Sequence, residues 1–236
     1  ISQKPPSNKN YKQRKFIIWK ESDDSELFFL RYLDNIISAK KEELIILFID
    51  ILADSFDLFA NNEYVFYHAS VVAKSDDCVL ILAPTYQGKT TLGVQLSLKG
   101  YRYLSDDVAI LDKEGFLYSF PIPIKLRGNM LPDEKIKIQY DYMILKKYFI
   151  LTPKDNIDLS CKFFPNKILI LNRCNDFCSL NIERITGASS ISSLITNAAY
   201  CQDFLLHTQI SKKLSEQCMV YSIKYLNYQD IIDVLF

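Results

Sequence analysis

The sequence predicts an α/β fold organised around one phosphate-binding loop, and three observations carry the prediction. Residues 78–82 form an unbroken apolar run of strand length, as expected of a strand covered on both faces. Ala83-Pro84-Thr85-Tyr86-Gln87-Gly88-Lys89-Thr90 follows at once and fits the pattern of a loop that cradles phosphate, with alanine in place of the first glycine. Helical and strand patterns then alternate through the middle of the chain.

The bulk numbers narrow the class. The 236 residues are enough for one sizeable core, or one core plus a small lobe. Apolar residues make up 49% and charged residues 24%, an ordinary globular balance. The 28 basic and 28 acidic side chains cancel, which argues against nucleic acid or an anionic membrane as a partner held by bulk charge. Cys78, Cys161, Cys174, Cys178, Cys201 and Cys218 contain no CxxC pair, and no histidine lies near the closest two, so the expectation is reduced thiols rather than a zinc site. Residues 1–14 lack the apolar core of a signal peptide, and the apolar stretch 44–60 is interrupted by Asp50, Asp54 and Asp57. The expected compartment is the cytoplasm.

Taken in order, residues 1–14 read as a disordered tail rich in Lys, Asn, Pro and Ser. Residues 15–62 read as a small, mostly helical N-terminal segment, with helices over 26–37 and 41–60. The catalytic domain is expected over 63–236. It opens with a strand over 64–73, turns at 74–77 and enters the apolar strand. The helix over 90–99 closes at Gly100, a residue suited to the left-handed position after a helix. Strands follow over 108–111, 116–120 and 122–126, the last two around Pro121 and Pro123. Residues 130–160 show no clear period and read as a mobile insert. Strands over 167–171 and 180–185 and a helix over 189–202 complete the reading.

The loop pattern has a chemical rationale. Backbone N–H groups curl around phosphate oxygens, and the helix N-terminus adds partial positive charge. Lys89 is placed to reach the β- and γ-phosphates and the Thr90 hydroxyl to ligate Mg²⁺. The bland alternative is a strand-to-helix turn with a surface lysine. Asp106-Asp107 arrive just across one helix from Lys89. Phosphoryl transfer needs a carboxylate near the metal and gains from a base for the acceptor hydroxyl, and two adjacent acids can divide those tasks. Ser105-Asp106-Asp107 is also good turn chemistry. His68, in an apolar strand, reads as a satisfied core histidine more readily than as a catalytic one. Lys125 and Arg127 flank Leu126 and are expected to share a strand face, where they would bind phosphate or an acidic substrate, or simply be solvated.

Together, Tyr67-His68-Ala69, the loop through Thr91, and Leu104-Ser105-Asp106-Asp107-Val108 resemble the C-terminal catalytic domain of HPr kinase/phosphorylase. More closely, they resemble the HPr-kinase-like proteins of lasso-peptide gene clusters. The likeness covers about 64–128, with fainter echoes at Glu183-Arg184-Ile185-Thr186-Gly187 and Asn197-Ala198-Ala199-Tyr200.

The resemblance implies a phosphoenolpyruvate-carboxykinase-like P-loop fold, a mixed sheet flanked by helices. It implies ATP or GTP with Mg²⁺, and phosphate transfer to a serine or other hydroxyl of a ribosomally made peptide or protein. Residues 83–91 would bind the nucleotide, and Lys89 would touch the transferring phosphate with His68 nearby. One of Asp106 and Asp107 would be the base, and Thr90 with Asp107 would hold the metal. Lys125 and Arg127 would face the acceptor, since Arg127-Gly128 matches an Arg-Gly on the substrate side. Classical members are homo-oligomers. Ala83 and Tyr86 stand where the family usually has glycine, and the N-terminal 60 residues differ from the classical N-terminal domain. The expected acceptor is therefore a peptide or a free small molecule rather than HPr. A nucleotide-binding regulatory module without transfer activity is the reading from another class.

Overall fold

The structure is a computed structural model that describes residues 16–32, 35–54, 63–120, 122–127, 136, 140–145, 148–154, 161–174, 179–200 and 203–236. The chain divides into two compact units, Ile1–Phe59 and Ala60–Phe236.

In the first unit, Phe16–Trp19 (β1), Leu27–Tyr32 (β2) and Asn35–Lys40 (β3) form an antiparallel sheet, and Lys41–Asp54 (α1) follows β3 directly. This corrects the expected mostly helical segment. The apolar spacing over 26–37 also fits a hairpin, in which Leu30 pairs with Ile37, and phenylalanine and isoleucine pack well on a pleated surface. Leu30, Ala39 and Leu44 make its small buried cluster. The second expected helix is present as α1; residues 55–60, like the tail at 1–14, lie outside the described residues.

The second unit is mixed α/β with three sheets. Its elements in order are Tyr64–Tyr67 (β4), Ala69–Lys74 (β5), Asp77–Leu82 (β6), Lys89–Leu98 (α2), Arg102–Ser105 (β7), Ala109–Asp112 (β8), Leu117–Tyr118 (β9) and Ile124–Arg127 (β10). Then come Tyr140–Leu145 (β11), Tyr148–Pro153 (β12), Lys162–Phe163 (β13), Lys167–Arg173 (β14), Asn181–Ile185 (β15), Gly187–Thr196 (α3) and Ala198–Tyr200 (β16). Phe204–Gln217 (α4), Met219–Tyr225 (β17) and Tyr228–Leu235 (α5) complete it.

The central six-stranded sheet has the order β15-β17-β14-β6-β5-β7. β14 runs parallel to both β6 and β17, and the other pairings in this sheet are antiparallel. A five-stranded sheet, β13-β9-β8-β4-β16, and a three-stranded one, β10-β12-β11, are antiparallel throughout.

The apolar run on β6 is covered on both faces, as its composition requires. Val79 and Ile81 join the core formed with Leu92, Val94 and Leu96 of α2 and Ile231 and Ile232 of α5. Cys78, Leu80 and Leu82 join the opposite core, with Leu194 of α3, Ile210 and Leu214 of α4, and Val65, Tyr67 and Leu111 of the five-stranded sheet.

Four further differences from expectation stand out. The single strand expected over 64–73 breaks at His68, where the chain leaves the five-stranded sheet and enters the central one. The insert expected at 130–160 contains β11 and β12, whose aromatic and branched residues pair in register, Met143 opposite Ile150. The helix expected over 189–202 stops at Thr196 and gives way to β16 on β4. Finally, Cys174 is disulfide-bonded to a residue outside those described, which corrects the expectation of uniformly reduced thiols, whereas Cys78, Cys161 and Cys218 are free. No helix among the described residues is long and apolar enough to cross a membrane.

Candidate active site

β6 ends at Leu82 and α2 starts at Lys89, so the phosphate-loop pattern lies between a buried strand and a helix. Gln87 N–H donates to Pro84 O at 3.2 Å and Leu92 N–H to Gly88 O at 2.9 Å, which fixes the curl of the loop and the first helical turn. Gly88 caps the helix at φ 82°. Tyr86 also has a positive φ, 68°, a conformation that a bulky residue rarely adopts.

The loop opens onto a cleft of about 350 Å³. Of the residues singled out from sequence, His68, Thr85, Tyr86, Gly88, Lys89, Thr90, Thr91, Asp107 and Lys125 line it, together with Leu126 and Arg173. Ala83 is buried in the core beneath the loop. Neither Pro84 nor Gln87 lines the cleft. Arg127 ends β10, and its side chain lies outside the described structure.

The two aspartates have opposite surroundings. Val108 N–H donates to Asp106 O at 2.7 Å across a three-residue turn centred on Asp107, whose φ is 60°. This sends adjacent side chains in different directions. Asp106 is 2% exposed and takes three hydroxyl donors on Oδ1: Ser70 at 2.6 Å, Tyr103 at 2.8 Å and Thr90 at 3.1 Å. Its Oδ2 accepts from Thr90 at 3.3 Å. Burial and the neighbouring Asp107 charge push the Asp106 carboxyl up to about 6, against the pull of the three hydroxyls. Asp107, in contrast, lines the cleft.

His68 Nδ1 lies 3.0 Å from the Asp107 carbonyl and 3.9 Å from its Oδ1. The carbonyl can only accept, so Nδ1 carries the proton and Nε2 is the nitrogen left for another partner. Lys89 is 5% exposed. Burial lowers its pKa, and the charges of Asp107 and Asp106 offset only part of that lowering.

Four residues of the site were not readable from the sequence. Ser70 and Tyr103 hold Asp106. Tyr225 donates its hydroxyl to Gln87 O at 2.7 Å. Arg173 lines the cleft from the end of β14. Only Arg173 had a local signal, a basic residue at the carboxyl end of an apolar run. The sequence matches no protein-family model, and no curated protein is significantly similar to it.

Proposed function

We propose that this chain is a Mg²⁺-dependent kinase of the HPr-kinase-like type, which transfers the γ-phosphate of ATP or GTP to a hydroxyl on a peptide or protein. One observation carries the reading: Asp107 faces a cleft shared with Lys89 and His68, while Asp106 is buried behind Thr90.

The metal fits as a nucleotide-borne ion. Among the described residues no group of three or more His, Cys, Asp or Glu side chains forms a cage. Mg²⁺ is ordinarily held by one or two carboxylates plus substrate phosphates and water. The Thr90 hydroxyl and Asp106 Oδ2, which has only the 3.3 Å contact, are the oxygens suited to hold it. This reverses the division expected from sequence, which placed Asp107 with the metal. Bound there, Mg²⁺ would neutralise charge on the β- and γ-phosphates.

The chain's own residues then do the following. The loop and Lys89 orient the phosphates. Asp107 takes the proton of the acceptor hydroxyl as its oxygen bonds to the γ-phosphorus. The bond from γ-phosphorus to the β-phosphate oxygen breaks, and its electron pair leaves with the nucleoside diphosphate. His68 fixes the turn that carries Asp107.

The cleft, about 350 Å³, is at the small end of ligand sites at roughly 300–1,000 Å³. Phosphates would fill most of it, so the acceptor hydroxyl enters at the rim. That favours a residue on a chain over an engulfed metabolite.

The test is purified protein with Mg²⁺, ATP or GTP, and a mixture of serine-containing peptides and free serine, read by mass spectrometry. A phosphate adduct that disappears with Lys89→Ala supports the reading, and its carrier separates peptide from metabolite. Lys89-dependent nucleotide binding without any adduct would instead favour a regulatory module, for which the strained Tyr86 is the motive.

A further inference from the structure

Gln87 ties the phosphate loop to two other strand ends. Its side-chain Oε1 accepts from the Arg173 backbone N–H, and its carbonyl accepts from the Tyr225 hydroxyl at 2.7 Å. Cys174 N–H donates to Tyr225 O at 2.8 Å, so the ends of β14 and β17 are also joined to each other. Arg173 is the last residue of β14, which runs parallel to β6. Both strands therefore deliver their carboxyl ends to one edge, where open α/β sheets bind ligands.

The Arg173 side chain lines the cleft with Gly88 and Lys89. Its charge also reaches Tyr225: burial raises the pKa of that phenol, and Arg173 pulls it part of the way back. The Tyr225 hydroxyl in turn rests on the Gln87 carbonyl. The roles assigned above leave this cation unused. With Mg²⁺ and Lys89 in place a triphosphate still carries unmet negative charge, and a guanidinium fork suits phosphate oxygens.

We propose that Arg173 is a second phosphate-binding cation of the cleft, directed at the terminal phosphoryl group of a nucleoside triphosphate, and that Gln87 is the residue that positions it. The assignment rests on the phosphotransferase reading and deepens it. Arg173 is a contact residue. Gln87 acts through it, by holding the strand end from which the guanidinium projects.

The experiment is calorimetric titration, with Mg²⁺, of ADP and of a non-hydrolysable ATP analogue into the wild type and the Arg173→Ala, Arg173→Lys and Gln87→Ala variants. Thermal melts check each fold. Losing a charge-assisted contact should weaken the ATP analogue roughly ten- to a hundredfold. ADP affinity should change less than about threefold, since the contact is to the group ADP lacks. Lysine should restore part of the loss, and Gln87→Ala should reduce the same ratio by a smaller factor. An unchanged ATP-to-ADP ratio in folded Arg173→Ala overturns the proposal and leaves the kinase reading standing. Absence of nucleotide binding by the wild type overturns both.

Discussion

The hydroxyl oxygen of Tyr225 is packed against the position that a Cβ on Gly88 would occupy. Gly88 is thus required twice, by its φ of 82° and by the tyrosine packed against it. Gly88→Ala should cost about 1–2 kcal/mol from the left-handed backbone alone. It should also displace the donor to the Gln87 carbonyl. Urea denaturation would show the loss, and an unaltered midpoint would refute the account. Tyr225→Phe is not a remedy. It removes the crowding oxygen but leaves the Gln87 carbonyl without the 2.7 Å donor.

The two aspartates should separate kinetically. Asp107→Asn should lower kcat about 10²- to 10⁴-fold, with nucleotide affinity nearly unchanged, because a base is lost and the phosphate site is not. Asp106→Asn should instead weaken Mg²⁺-dependent nucleotide binding. Steady-state kinetics combined with direct nucleotide titration would check both, and the reverse pattern would exchange the roles.

Stability should carry the signature of Asp106. Its carboxyl titrates near 6 in the folded chain against 3.8 as an ordinary aspartate. Between those values the folded state holds the proton that the unfolded state has released, so this group's contribution falls as pH rises and levels off above the upper value. The full effect is at most about 3 kcal/mol. Asp77 and Asp112, whose pKa values are lowered, act in the opposite direction at the acid end. The difference between wild type and Asp106→Asn isolates the effect. Denaturation curves at a series of pH values should show the variant gaining relative stability as pH rises to about 6.

Gly93 supplies a mutational handle on the same carboxylate. A Cβ there would meet the Tyr103 ring and hydroxyl at 2.8 Å, and Tyr103 is a donor to Asp106. Gly93→Ala should gain about 0.5–1 kcal/mol of helix propensity and lose roughly 1–3 kcal/mol to overpacking. A thermal melt higher than that of wild type would show that the ring moves aside freely.

Legibility followed sequence distance. The strand, loop and helix through residues 77–98 could be read because each signal is local: an apolar run, a glycine, a lysine and a helical pattern. Asp106 and Asp107 were visible as a pair, yet their opposite surroundings were not. Those depend on the φ of Asp107 and on Ser70, 36 residues from Asp106. Tyr225 meets Gln87 across 138 residues, and no local pattern announces that contact. The N-terminal hairpin was misread because short aromatic and aliphatic runs satisfy both helical and strand spacing. At Arg173 the signal existed but looked like any basic strand end.

The distances spanned by the Gln87 contacts also set an order of assembly. β5, β6 and α2 are neighbours in sequence, and their pairings close short loops. The tie from Gln87 to Arg173 spans 86 residues and that to Tyr225 spans 138. Contacts of such separation are slow to form, because loop-closure entropy must be met before they contribute. During synthesis the phosphate loop is therefore shaped before it is clamped. A nascent chain stopped short of β14 would present β6 as a bare edge open to pairing with a stranger, and β17, which follows β14 in sequence, is the strand that completes the clamp.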